Sequence, residues 1–195
     1  MKILFIDTTT PDLVVAVVED NKITDVTAKA VGVHHSEMLC DKVAEALQQA
    51  KLTFRDLDAY ACAIGPGSFT GIRIGISTVK GYRTAVKLPY IAVNCLEAIS
   101  VSRKCSSCGR AIIDAGNGYY YADYVSGVAP TLINYEDERV NSAGHAESGV
   151  DYFDGAVGII RKRFAEGRFD QELTPLYIRR SQAEENKLIQ SEKNK

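Results

Sequence analysis

Short apolar stretches rich in β-branched residues open the chain. They cover residues 2–6, 13–18 and 22–28, and turn-forming residues separate them. Runs of this length between turns are typical of β-strands. The pattern therefore predicts three consecutive antiparallel strands.

The pattern then alternates between helix and strand. From Ser36 onward, apolar residues recur at the spacing of an amphipathic helix, with Ser36 as N-cap and Glu37 in the first turn. The predicted elements are helices over about 36–50 and 70–87, and buried strands at 59–64 and 90–94. Because the crossovers are long, the later strands should be parallel. This order is that of the ribonuclease H-like half of actin-like proteins.

The polar segment 103–110 interrupts the apolar periodicity and marks a boundary. Beyond it we predict strands at 111–115, 118–127 and 131–136, a turn-like stretch over 137–150 and a helix at 156–166. The predicted organisation is a first lobe over 1–102, a smaller second lobe over 103–180 and a polar tail over 181–195.

Composition narrows the class of protein. The 195 residues are 46% apolar and 25% charged, which is typical of a soluble globular chain. With a net charge of −2, the chain has no overall positive charge that would attract nucleic acid. Any contact with RNA should therefore involve a local patch or be shared with another protein. The apolar stretch at the start is too short for a signal peptide, and no run of about 18 apolar residues follows. Five cysteines, an odd number, argue against a disulfide framework. The expected compartment is the cytoplasm, without a membrane span.

A glycine-rich turn, Gly65-Pro-Gly-Ser-Phe-Thr-Gly71, joins the predicted buried strand at 59–64 to the second helix. Free amides at a helix start can cradle a phosphate or another anion. The loop lacks the Gly-Lys-Ser/Thr of a Walker motif. Two interpretations remain open, an anion cradle and a tight structural turn.

The second predicted helix contains glycine at positions 71, 75 and 81. Each weakens a helix by about 1 kcal/mol relative to alanine, so some contact should compensate. Gly71, Gly75 and Thr78 share one narrow arc of the helix. Another backbone can approach that arc, either from within the protein or from a partner subunit.

Five motifs together resemble the TsaB family, also called YeaZ. They are IDTTT at 6–10, HSEML at 35–39, GPGSFTGIRIG at 65–75, Leu96-Glu97-Ala98 and PLYIRR at 175–180. The resemblance implies an actin-like ATPase (ribonuclease H-like) α/β fold with two lobes, the second shortened. It also implies a role in bacterial synthesis of threonylcarbamoyladenosine (t6A) in tRNA.

The same resemblance implies a scaffold that binds a catalytic paralogue, TsaD. A TsaE-like ATPase is the further expected partner, tRNA is reached only through the complex, and the chain alone should form a homodimer. The expected partner contacts are Met38, Leu39, Lys42, Gly71, Ile74, Gly75, Thr78 and Tyr82. On this view Gly75→Arg would abolish pairing and leave the chain folded.

The residues argue against independent catalysis. TsaD carries a His-x3-His metal pair, and at the equivalent distance from the glycine loop this chain has Cys95 and Ile99. Ile99 has no donor atom, so no catalytic residue and no metal ligand is predicted. Cys105 and Cys108 supply only half of a zinc site. We expect no activity from the chain alone and a place in a tRNA threonylcarbamoyl transferase complex.

A phosphate-binding hairpin is encoded only weakly. The first strand ends in Asp7-Thr-Thr-Thr10, without the glycine that actin-like ATPases use there, and Gly116 stands where the family commonly has arginine. The weak candidates for nucleotide or phosphate are Asp7, Thr8, Thr9, Gly65 and Gly67. No tightly bound cofactor is expected, and ATP or ADP is a candidate only at the complex interface. The alternative function is an independent actin-like ATPase or small-molecule kinase.

Overall fold

The computed structural model describes residues 1–102, 111–116, 119–122, 130–142, 144–146 and 149–178. The strands are β1 (Lys2–Asp7), β2 (Leu13–Glu19), β3 (Ile23–Ala28), β4 (Ala59–Gly65), β5 (Tyr90–Asn94), β6 (Ala111–Gly116), β7 (Tyr119–Ala122), β8 (Thr131–Asn134) and β9 (Gly144–Ala146). The helices are α1 (His35–Ala50), α2 (Phe69–Ala85), α3 (Cys95–Val101) and α4 (Phe153–Ala165).

The first sheet has the strand order β3-β2-β1-β4-β5. The first three strands pair antiparallel, and β1, β4 and β5 run parallel to one another. The helices α1 and α2 make the crossovers that parallel pairing requires. This is the predicted ribonuclease H-like unit of an actin-like fold. The second sheet is smaller, with the order β8-β7-β6-β9.

Alternation along β1 assigns its side chains to two cores. Ile3 and Phe5 belong to a core with α3 and α4, whereas Leu4 and Ile6 belong to a core with α1 and α2. All four side chains are buried, because helices cover both faces of the sheet. The second sheet joins the first of these cores through β6 and β9.

The helix α3 was not predicted from the sequence. It has only seven residues, which is too short for a clear periodic pattern. Its N-cap is Asn94, whose Oδ1 accepts hydrogen bonds from the amides of Leu96 and Glu97 at 2.9 and 3.3 Å. An N-cap of this type is worth about 1 kcal/mol. The cap and the packing of α3 against α4 hold this helix.

The residues after 149 pack on the first lobe. In α4, Ala156 and Ile160 are buried in the core beside β1. We call residues 168–178 the C-terminal strap, because they cross to the other side of the first sheet. There the amide of Asp170 donates to the Tyr90 carbonyl, and Leu173 is buried in the core with α1 and α2. Residues 149–178 of the predicted second lobe, 103–180, therefore contact both faces of the first sheet, and the division into lobes stays a prediction.

The second half corrects one prediction and leaves two others untested. Strand β9 lies inside the stretch 137–150 that we predicted to be turn-like, and it pairs parallel with β6. Strands β6, β7 and β8 lie within the three predicted strand regions. The predictions for 103–110, with Cys105 and Cys108, and for the tail 181–195 fall outside the described residues. No helix in the described ranges has the length and apolar character needed to cross a bilayer.

Candidate functional site

The end of β1 and the loop after it form a closed polar cluster. The Asp7 carboxylate accepts hydrogen bonds from the amide and hydroxyl of Thr9, at 2.8 and 2.7 Å, and from the Tyr152 hydroxyl at 2.6 Å. The hydroxyl of Thr10 accepts a hydrogen bond from the Gly149 amide at 2.9 Å. Asp7 and Thr9 are each only 1% exposed. Residues just before α4 therefore seal this hairpin against the first sheet.

Burial and hydrogen bonding act on the Asp7 carboxyl in opposite directions. Burial raises the pKa of Asp7, because the charged form loses its hydration. The hydrogen bonds from Tyr152 and Thr9 favour the carboxylate and lower the pKa. Burial prevails, so the pKa of Asp7 lies above its ordinary value of 3.8.

The glycine loop closes the cluster from the opposite side. The Ser68 amide donates to the Thr9 carbonyl at 2.7 Å, and the Thr8 hydroxyl donates to the Gly71 carbonyl at 2.6 Å. A Cβ on Gly67 would collide with the same Thr9 carbonyl. The loop amides and hydroxyls in these contacts bind the chain's own hairpin. The structure thus favours the interpretation of a tight structural turn over that of a phosphate cradle.

The five weak nucleotide candidates lie in the same network of internal contacts, and nucleotide binding by them stays a prediction. Gly65 has φ of 105°, a backbone conformation that favours glycine, and a Cβ there would lie 2.9 Å from the Leu176 carbonyl of the strap. The remaining four contact one another or α2, and three of these are buried. The set consists of Asp7, Thr8, Thr9, Gly65 and Gly67. Their placement follows from packing inside the chain.

Two buried thiols lie beside the cluster. The Sγ atom of Cys95 lies 3.3 Å from the Thr9 hydroxyl, and burial raises the pKa of Cys95 to about 12. Burial also raises the pKa of Cys62 well above its ordinary value. The thiol of Cys40 on α1 is exposed.

These thiols should therefore differ in reactivity. We expect iodoacetamide to alkylate Cys40 in the folded chain and to leave Cys62 and Cys95 unmodified, because only a thiolate in contact with solvent reacts rapidly. Peptide mapping by mass spectrometry before and after unfolding in urea measures this difference. Equal labelling of Cys40 and Cys95 in the folded chain would contradict the closed cluster.

The glycine arc of α2 faces inward. A Cβ on Gly71 would collide with the Thr8 carbonyl, and a Cβ on Gly75 would lie 2.6 Å from the Thr8 hydroxyl. Both glycines are buried. The prediction that Gly71 and Gly75 contact a partner is therefore corrected, since the backbone that approaches them is β1 of the same chain.

An open groove of about 480 Å³ lies between α1 and α2 on the outer surface. Leu39 is buried and forms its floor, while Ile74 and Thr78 are half-exposed along one wall. The groove is lined by Ser36, Leu39, Cys40, Phe69, Thr70, Arg73, Ile74, Ser77 and Thr78. Three of the eight predicted partner residues thus line one continuous surface.

Three further predicted contacts flank the groove. Met38, Lys42 and Tyr82 are half-exposed on the same two helices. Lys42 pairs with Glu45 at 2.8 Å on its own helix, and the ring of Tyr82 lies 4.7 Å from that of Phe54. The outward face that α1 and α2 share is therefore built from half-exposed and exposed side chains, without the bare backbone of Gly71 and Gly75.

The positions equivalent to the metal pair of TsaD lie in the core. Cys95 and Ile99 are both 0% exposed, at the start and middle of α3. Among the described residues, no group of three His, Cys, Asp or Glu side chains is placed to hold a metal ion. Sequence reasoning missed Tyr152 and Gly149, whose contacts with the hairpin join positions about 140 residues apart. The sequence also did not predict the strap, whose Leu176 amide donates to the Ile64 carbonyl at the end of β4.

Sequence comparison relates the chain to known proteins. The family model described as "TsaD: tRNA N6-adenosine threonylcarbamoyltransferase" matches residues 20–184. An uncharacterized protein of Mycobacterium tuberculosis is 38% identical over 100 residues, which cover 50% of this chain and 47% of that protein. The tRNA N6-adenosine threonylcarbamoyltransferase of Protochlamydia amoebophila is 30% identical over 114 residues, covering 50% of this chain and 33% of that enzyme. The matched segments thus span about half or less of these curated relatives.

Structural comparison gives a match over almost the full length. YeaZ from Pseudomonas aeruginosa superposes with a TM-score of 0.70 at 20% identity, covering 90% of this chain and 99% of YeaZ. A second structure, described as an uncharacterized protein with similarity to peptidase YEAZ from Pseudomonas aeruginosa, has a TM-score of 0.70 at 21% identity. It covers 91% of this chain and 99% of that protein. The chain has the fold of these proteins.

Proposed function

Because this chain belongs to the TsaD family of tRNA N6-adenosine threonylcarbamoyltransferases, we propose that it is a non-catalytic subunit that binds a catalytic TsaD-like paralogue in t6A synthesis. The fold shared with YeaZ over 99% of the YeaZ chain supports a place in the TsaB branch of this family. The proposed product is the threonylcarbamoyl group on the tRNA adenosine next to the anticodon.

The observation that carries the proposal is the closed hairpin at the end of β1. In this chain Tyr152 donates to Asp7, and the glycine loop binds the Thr9 carbonyl. Cys95 and Ile99, at the distance from the glycine loop where the resemblance places the histidines of TsaD, are buried. The chain thus keeps the framework of the family and uses its equivalents of catalytic positions for internal packing. This division supports a scaffold over an independent catalyst.

The groove between α1 and α2 is the proposed docking surface. Its partly exposed apolar side chains, Ile74 and Phe69, would be covered by the matching helices of a paralogue with the same fold. Two similar chains can pair through equivalent helices about a pseudo-twofold axis. We propose the TsaD-like paralogue as occupant in the working complex and a second copy of this chain when the paralogue is absent.

The other components belong to the same proposal. A TsaE-like ATPase is the further protein partner, and tRNA binds through the complex because this chain has a net charge of −2. ATP or ADP, if it binds, does so at the complex interface. The proposed site of action is the cytoplasm.

Ile74→Arg tests the docking surface. We expect a loss of affinity for the TsaD-like paralogue of at least about tenfold, because a charged side chain would be buried in the apolar part of the contact without a partner. Ile74 is half-exposed, so arginine can reach solvent in the isolated chain and the fold should persist. Binding is measured by isothermal titration calorimetry, and the fold by circular dichroism.

The matched control is Gly158→Arg. Gly158 is exposed on α4, on the opposite side of the first sheet, and has no atom within 4 Å of a Cβ placed there. This variant should bind the paralogue like the parent chain. Equal affinity of Ile74→Arg and the parent would reject the groove as the docking surface. Turnover of ATP by the isolated chain with magnesium would instead favour the independent ATPase.

A further inference from the structure

Arg73 has an unusual environment at the rim of the groove. Its guanidinium carbon lies 4.1 Å from the centre of the Phe69 ring, one turn earlier on α2. Its Nε–H donates to the Tyr177 hydroxyl of the strap at 2.9 Å. The rings of Phe69 and Tyr177 stack on each other with centroids 4.5 Å apart. Two helical and one strap residue thus form a fixed aromatic and cationic group.

The exposed Arg73 side chain can be reached from solvent by a ligand. Arg73 is exposed, and within the described ranges its terminal nitrogens have no acid in ion-pair distance. Contacts with Phe69 and Tyr177 already fix its orientation, so binding would cost little further side-chain entropy. Two parallel terminal N–H groups match the two oxygens of a carboxylate.

We infer that Arg73 is the specificity anchor of the groove and receives an aspartate or glutamate side chain of the TsaD-like partner. This inference rests on the proposed function, because it places the acid on the subunit that occupies the groove. Charge complementarity selects the ligand, since the site offers a guanidinium fork above an apolar wall. The strap acts as a positioning element, because Tyr177 holds the Nε side of the fork.

Arg73→Met tests the anchor. Methionine keeps an unbranched apolar side chain over Phe69 but lacks the charge and the fork. We expect affinity for the paralogue to fall by about tenfold or more, as for a hot-spot arginine. The affinity of the parent chain should weaken as NaCl rises from 0.05 to about 0.5 M, and that dependence should be smaller in Arg73→Met. Arg73→Lys should be intermediate, because it keeps the charge without bidentate geometry.

The matched control is Arg83→Met on the same helix. Arg83 also stacks on an aromatic ring, that of Tyr90 at 4.4 Å, and also donates to the strap at the Gln171 carbonyl. It does not line the groove. If a loosened strap were the cause of weaker binding, Arg83→Met would weaken binding as much as Arg73→Met, and the anchor would be rejected.

The outcomes separate this inference from the proposed function. If the parent chain does not bind the paralogue, both the proposed function and the role of Arg73 as an anchor are rejected. If the parent binds, and Arg73→Met binds equally with the same salt dependence, only the anchor fails. Tyr177→Phe keeps the ring stack and removes the acceptor for Nε. Affinity of Tyr177→Phe between the parent and Arg73→Met would support the positioning role, and an unchanged affinity would overturn it.

Discussion

Replacement of Gly71 by alanine should lower the free energy of unfolding by about 2 kcal/mol. The added methyl would collide with the Thr8 carbonyl, which belongs to the backbone and cannot rotate away. Overpacking of this kind typically costs about 1–3 kcal/mol. Because the contact is with rigid backbone, we expect a cost of about 3 kcal/mol here. Alanine recovers about 1 kcal/mol through its higher helix propensity. The steric cost is larger, so the net effect is destabilising, and urea denaturation measures it.

Gly158→Ala is the matched control for Gly71→Ala. Gly158 lies in α4 and has no atom within 4 Å of a Cβ at its position. Only the propensity gain applies, so the free energy of unfolding should rise by about 0.5–1 kcal/mol. If Gly71→Ala stabilised the chain as much as Gly158→Ala, the close approach of α2 to β1 would be wrong.

The inward glycine arc also reverses an expectation for Gly75→Arg. From the sequence, this variant would stay folded and lose its partner. In the structure a Cβ on Gly75 lies 2.6 Å from the Thr8 hydroxyl and 3.5 Å from Cys62 Sγ. An arginine there would enter the core beside β1 and unfold the chain. Loss of pairing by this variant would therefore say nothing about the groove, for which Ile74→Arg is the proper test.

The sequence predicted the first sheet well because its signals are local. Runs of β-branched residues marked β1 to β3, and the periodicity from Ser36 marked α1. The helix α3 was not predicted because seven residues are too few to show a helical period of apolar positions. Strand β9 was not predicted because three residues cannot show a clear alternation of apolar and polar positions. Neither element is specified by its own pattern. Both are stabilised by packing against distant parts of the chain.

The site was predicted only in part, for a related reason. The sequence placed Gly71, Gly75 and Thr78 on one arc, and their helical spacing is correct. Periodicity cannot say which neighbour covers an arc, so β1 and a partner subunit looked equivalent. Local sequence patterns also do not predict the position of the strap, because its contact between Arg73 and Tyr177 joins residues 104 positions apart. Long-range contacts of this kind shape the proposed docking surface.

The closed hairpin connects the two sides of the first lobe. Tyr152 holds Asp7 from the side of α4, and Thr8 donates to Gly71 at the start of α2. The outer side of that same helix forms a wall of the groove. The polar cluster thus fixes the position of α2, one of the two helices of the proposed docking surface, from inside the protein. A weakened cluster should therefore reduce stability first and partner affinity as a consequence.

Tyr152→Phe should lower the free energy of unfolding by about 1.5–3 kcal/mol at neutral pH. The variant removes a 2.6 Å hydrogen bond to a buried carboxylate, and bonds to charged groups contribute about that amount. Tyr135→Phe is the control, because its hydroxyl donates to Asp114 at 2.8 Å on the surface. That variant should change stability by less than about 1 kcal/mol. If the two variants changed the free energy of unfolding equally, burial of the Asp7 cluster would contribute nothing to stability.

The raised pKa of Asp7 leads us to expect that the free energy of unfolding depends on pH. Its pKa is raised in the folded chain, mainly by burial, so the folded chain holds this proton more tightly than the unfolded chain does. Protonated Asp7 makes its full contribution to the free energy of unfolding below the ordinary pKa of 3.8. This contribution is lost as the pH rises through the pKa that Asp7 has in the folded chain. Asp7→Asn should abolish that loss. In Tyr152→Phe a hydrogen bond that lowers the pKa is missing, so the loss should continue to higher pH than in the parent chain. Urea denaturation of the three proteins from about pH 4 to 8 tests this order, and parallel curves for the parent and Asp7→Asn would refute it.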